Sequence, residues 1–97
     1  MSRLADLDIT TALDRLPEWT RDGDVLVRIV PCRDWRDAIA FVNAVAAEAD
    51  RLDHHPDLCL TRYRRVTLRL TTHTEGGITD LDVALAEAVE AIVGGRG

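Results

Sequence analysis

The sequence predicts an α+β fold: a single two-layer domain, with helices packed on one face of a four-stranded antiparallel sheet. Three observations predict it. From Trp35 to Leu52, apolar residues recur at the three- and four-residue spacing of an amphipathic helix. Beyond Pro56 the spacing becomes strict alternation, as in half-buried strands: Leu58 and Leu60 alternate with Cys59 and Thr61, then Val66, Leu68 and Leu70 with Thr67, Arg69 and Thr71. Strands that come in local pairs, with helices between the pairs, favour an antiparallel sheet covered on one side. The 97 residues are read as one domain, residues 1–97, because so short a chain cannot hold two cores.

Each element has its own signals. Asp8 is positioned to cap a short helix through Ile9, Ala12, Leu13 and Leu16, which must stop by Pro17. A polar turn, Arg21 to Asp24, leads into the β-branched run Val25 to Val30, which Pro31 closes. Asp34 caps the long helix, with Asp37 in the position of the capping-box acid. Its stripe of Trp35, Ala38, Ile39, Val42, Val45, Ala46, Ala49 and Leu52 is read as core. That helix should end near His54, since His55 precedes Pro56. A turn near Thr61 to Arg64 joins the last two strands, and His73 stands at the end of the second. After the loop Thr74 to Gly77, Thr79 and Asp82 form a second capping box. The helix behind it carries Leu81, Leu85, Ala88, Val89 and Ile92 on its apolar face and ends at Gly94-Gly95.

Composition narrows the function. A hydrophobic fraction of 46% with 30% charged residues is globular rather than disordered. A net charge of −5 disfavours nucleic acid as a partner, and Arg62, Arg64 and Arg65 read most simply as a solvated hairpin face. No apolar run is long enough for a transmembrane helix, and the first residues lack the pattern of a signal peptide. With Cys32 and Cys59 too few for a disulfide framework, a reducing cytoplasm is the expected location.

All three histidines, His54, His55 and His73, lie at element ends, where a rigid scaffold displays functional groups. Imidazole exchanges protons near neutral pH, which makes acid–base chemistry the natural reading. Asp50, four residues before His54, should share its helix face and orient it, while Asp53 and Asp82 are further carboxylate candidates. Each also has a plain structural explanation: a surface Asp–His pair, a capping acid, a solvated strand-end histidine. A metal is not expected, because adjacent histidine side chains diverge and no H-x-x-x-H spacing occurs.

Jointly, the residues carry more. Asp50-Arg51-Leu52-Asp53-His54-His55-Pro56-Asp57, then Tyr63, Thr71-Thr72-His73, and Gly77-Ile78-Thr79 with Asp82 resemble the pterin-4a-carbinolamine dehydratase family. The likeness extends weakly upstream through Trp35, Ala38 and Phe41 to Trp19. Two positions depart from the family pattern: Asp50 stands where glutamate is common, and Leu58 where an aromatic often follows the His-His-Pro string. The resemblance implies loss of water from 4a-hydroxytetrahydropterin to give quinonoid dihydropterin, in tetrahydrobiopterin recycling. It implies His54, His55 and His73 as the catalytic and pterin-contacting residues, with Asp53, Thr71, Thr72 and Thr74 lining the site. Asp50 and Asp82 would be supporting carboxylates. The reaction needs only positioned acid and base groups, so no cofactor is implied. Acid and base are not assigned; the favoured reading has His54 and His73 exchanging protons while His55 orients the ring. The resemblance also implies a homo-oligomer, a dimer or a tetramer built from dimers. The alternative function is non-catalytic: a dimerisation or assembly cofactor that binds a protein partner.

Overall fold

In the computed structural model, which describes residues 2–96, the chain runs α1 (Asp6–Asp14), β1 (Thr20–Asp22), β2 (Val25–Pro31), α2 (Trp35–Leu52), β3 (Asp57–Thr61), β4 (Arg65–Leu70), a 3-10 turn (His73–Glu75) and α3 (Asp80–Gly95). The four strands make one antiparallel sheet in the order β1-β2-β4-β3, as the α+β reading predicts. Alternation decides which face is buried. Leu26↔Leu70, Arg28↔Leu68 and Val30↔Val66 face the helices, while Ile29 and Arg69, one residue out of phase, are exposed. Against the buried face pack Ala38, Phe41, Val45 and Ala49 of α2 and Leu85, Ala86 and Val89 of α3. Ile9 of α1, with Leu16 and Trp19 after it, closes the layer.

Several local expectations are corrected. α1 begins three residues early, its N-cap is Ala5, and no side chain caps it. Asp8 therefore lies inside the first turn with Asp6, where both acids face the positive end of the helix dipole. α2 spans the predicted residues, but its buried row is Ala38, Phe41, Val45 and Ala49. The stripe read from the sequence was rotated: Trp35 is 53% exposed, Ala46 is exposed, and Ile39 and Val42 are half-buried. Phe41 is the largest side chain of the buried row, flanked by the equally buried Ala38 and Val45. α3 runs through Gly94-Gly95 to an Arg96 cap rather than stopping at the glycines.

The turns and caps follow local chemistry. Gly23, with φ +59°, sits at the first central position of the β1–β2 turn, where such tight hairpins need positive φ. The β3–β4 turn has no such residue and bends through Arg62 and Tyr63, both left-handed at φ 49° and 56°. Asp34 accepts the Asp37 backbone N–H at 2.8 Å. Asp37 does not return the bond to its own cap; it accepts the N–H of Arg33 at 2.8 Å and pairs with the guanidinium of Arg96 beyond α3. The Arg33 backbone bond chiefly, with the Arg33 and Arg96 guanidinia, lowers the Asp37 carboxyl to about 2 despite the opposing effect of burial.

One buried polar cluster joins distant elements. Arg28 of β2, facing the core, is held by Glu90 of α3 through Nε–H at 3.0 Å and a second N–H at 3.3 Å. The indole N–H of Trp19 donates to the same carboxylate at 2.9 Å. Each buried donor thus meets an acceptor, which is what lets a charge lie beneath the helices. Cys32 is buried, Cys59 exposed, and both are free thiols. Among the described residues, no helix is long and apolar enough to cross a membrane.

Candidate active site

The site begins where α2 ends. Asp53 adopts the left-handed conformation (φ 49°, ψ 43°), which aspartate tolerates better than most residues. The His54 backbone N–H then bonds back to the Ala49 carbonyl at 3.0 Å, the six-residue closure of a helix C-terminus. This reversal takes His54 off the α2 face. The expected Asp50–His54 pair is therefore not formed: the helix stops at Leu52, two residues short of the histidine. Asp50 meets His55 instead, Oδ1 to Nε2 at 3.1 Å, and both side chains are well exposed.

His54 turns inward to Asp82. Its Nε2 lies 2.5 Å from Asp82 Oδ1, the His54 side chain being 11% exposed and Asp82 0%. Asp82 is also the acid of the capping box that opens α3, which forms as the sequence predicts. Its Oδ2 accepts the Thr79 backbone N–H at 2.9 Å and the Thr72 hydroxyl at 2.8 Å. Capping and histidine-holding are therefore not alternatives, since each carboxylate oxygen serves one of them.

His73 is exposed at the start of the 3-10 turn. That loop is pinned at both ends by reciprocal backbone bonds between Thr72 and Gly77. It is braced from outside by the N-terminal segment, where Leu4 N–H bonds to the Ile78 carbonyl at 2.8 Å and the Arg3 side chain lies against Gly77. A Cβ on Gly77 would come within 2.7 Å of Arg3 Cδ, so a larger residue there would displace the exposed Arg3 side chain. Thr71 is fixed by its hydroxyl, which donates to the Asp24 carbonyl at 2.7 Å.

These elements line one open cleft of about 350 Å³, bordered by Asp53, His54, His55, Thr71, Thr72, His73, Thr74 and Leu81. Its volume falls in the range of small-molecule sites. His54, His55, His73, Thr71, Thr72, Thr74 and Asp53 all line it; Asp82 stands behind His54, and Asp50 beside His55 at the rim. Leu81 is the lining residue that sequence reasoning missed, because its spacing with Leu85 reads as core. Among the described residues, no cluster of three or more His, Cys, Asp or Glu side chains is arranged to hold a metal ion.

The family model described as pterin 4 alpha carbinolamine dehydratase matches residues 2–92. The chain belongs to this family. A candidate pterin-4-alpha-carbinolamine dehydratase of Thermomicrobium roseum is 51% identical over 86 residues, covering 89% of this chain and 91% of that one. One from Mycobacteroides abscessus is 48% identical, covering 97% and 99%. Among solved structures, the transcriptional coactivator/pterin dehydratase of Brucella melitensis superposes with a TM-score of 0.89 at 33% identity, over 94% of this chain and 98% of that one. A pterin dehydratase-like RuBisCO assembly factor of the alpha-carboxysome shares the fold, with a TM-score of 0.66 at 24% identity over 79% and 90% of the two chains. Within this dehydratase family member, the stretch from Asp50 to Asp82 that carries the sequence likeness is also the stretch that builds the cavity.

Proposed function

We propose that the cavity binds a 4a-hydroxytetrahydropterin and catalyses its dehydration. The C4a–O bond breaks as the departing hydroxyl receives a proton and leaves as water. N5 gives up its proton, and its electron pair forms the C4a=N5 double bond of quinonoid dihydropterin. The observation that carries this reading is the convergence of His54, His55 and His73 on one cavity. They reach it from the end of α2, the loop after it and the turn after β4. One acid and one base are required, and each such group contributes about 10²–10⁴-fold. Asp53, Thr71, Thr72 and Thr74 would contact the ring, and Asp50 and Asp82 would support His55 and His54. On this reading the protein is a cytoplasmic homo-oligomer, a dimer or tetramer, acting in tetrahydrobiopterin recycling.

The test is the dehydration rate of the 4a-carbinolamine, followed by ultraviolet absorbance, in His54→Ala and His73→Ala. Each should fall by about 10²-fold or more. Wild-type rates in both would refute the proposal and leave a protein-assembly role as the better reading. Light scattering tests the oligomer, which a stable monomer at micromolar concentration would rule out.

A further inference from the structure

Behind His54, the hydrogen bonds can be followed atom by atom. Thr72 donates its one hydroxyl hydrogen to Asp82 Oδ2 at 2.8 Å. The 2.8 Å contact between the Thr72 and Thr79 hydroxyls must then be donated by Thr79. Thr79 Oγ1 in turn accepts the backbone N–H of Leu81 at 3.3 Å. The chain therefore has a single direction: Leu81 N–H to Thr79, Thr79 to Thr72, Thr72 to Asp82. With the Thr79 N–H also on Oδ2, that oxygen is filled by two donors, and Oδ1 alone faces His54. Two donors on Oδ2 suit a carboxylate, so the hydrogen in the Oδ1–Nε2 contact belongs to the imidazole.

We infer that Nδ1 is the nitrogen through which His54 works, and that the Thr72 and Thr79 hydroxyls are positioning groups that fix it there by holding Asp82. Only what Nδ1 acts on rests on the dehydratase reading; the assignment of the ring rests on the hydrogen bonds. Thr79 and Asp82 are fully buried and Thr72 nearly so. The Thr72 hydroxyl hydrogen is thus committed to the carboxylate and cannot be donated to a ligand, although Thr72 lines the cavity. A neutral ring with its hydrogen on Nε2 presents a lone pair at Nδ1. His54 would then receive the N5 proton, and the departing hydroxyl would be protonated by His55 or His73, on the exposed side.

Two measurements test this. Long-range ¹H–¹⁵N correlation spectra of the uniformly labelled wild-type chain at alkaline pH should show His54 with hydrogen on Nε2 and bare Nδ1. Hydrogen on Nδ1 would overturn the inference whatever the protein catalyses. In kinetics, Thr72→Val keeps the shape and removes the hydroxyl. Its kcat should fall about 10- to 100-fold, the size known for outer partners that hold an orienting group in place, with KM changed less than about 2-fold. Thr72→Ser should recover most of the loss. Wild-type kcat in Thr72→Val, or a raised KM at unchanged kcat, would overturn the positioning role and make Thr72 at most a substrate contact. A wild-type chain inactive on the carbinolamine would refute the dehydratase reading alone, and the spectra would still decide the tautomer.

Discussion

His54 and His55 are neighbours in sequence, each on a carboxylate, yet the two pairs differ in nearly every physical respect. His54–Asp82 spans 28 residues, is almost wholly buried and closes at 2.5 Å. His55–Asp50 spans 5 residues, lies in solvent and closes at 3.1 Å. An exposed pair is worth at most about 1 kcal/mol, because water screens it and two mobile side chains must be held. A buried carboxylate filled by donors is costly to disturb, because removing one partner strands the others. Proximity in sequence pointed to Asp50 as the partner of His54, a pair that does not form. Burial selected the stronger of the two that do, and it alone can hold an imidazole in one orientation.

That contrast can be broken from the inside outward. Asp82→Ala should have the largest effect. It removes the capping-box acid of α3, the acceptor of Thr72 and the partner of His54, and should cost roughly 3–5 kcal/mol in denaturant unfolding as well as activity. His54→Gln should lower kcat by about 10²-fold or more, whereas His55→Gln should cost clearly less; equal losses would erase the distinction between the pairs. Asp37→Asn probes a third setting, a carboxylate held by one backbone N–H and two guanidinia. Its carboxyl is lowered to about 2 from an ordinary value of 3.8. Its contribution is therefore complete above the ordinary value and lost as pH falls through about 2. Wild type should lose stability across that window on acid titration by circular dichroism, and Asp37→Asn should lose less. The smallest effect belongs to Asp50→Asn: within about 0.5 kcal/mol in stability and about 3-fold in rate. A large effect there would show that the rim carboxylate touches substrate.

Much of this was legible in the sequence. Period-2 and β-branched runs and the α2 spacing mark three of the four strands and the body of the long helix, and Thr79 with Asp82 marks the second cap, while β1 falls where the sequence reads as a polar turn. His54, His55, His73 and Asp53 stand out by their chemistry at element ends and Thr71, Thr72 and Thr74 by the family resemblance, and all of them line the cavity. What failed had local causes. Asp50 and His54 have perfect helical spacing, but Asp53 ends the helix with a left-handed residue that no glycine signals. The α2 stripe was rotated because Trp35 counted as core by its chemistry, although the sheet takes Phe41. The Arg28–Glu90–Trp19 cluster joins residues 62 and 71 positions apart and leaves no periodic trace.

That cluster has a practical consequence. The chain has two tryptophans: Trp19, buried with its indole N–H on Glu90, and Trp35, half in solvent at the start of α2. Their emission should separate into a blue component that iodide cannot quench and a red one that it can. The first would report whether the layer under the helices is intact, and the second whether anything has settled on the outer side of α2. With Trp35→Phe to isolate the first signal, unfolding and surface association could be followed separately in one cuvette, without any added dye.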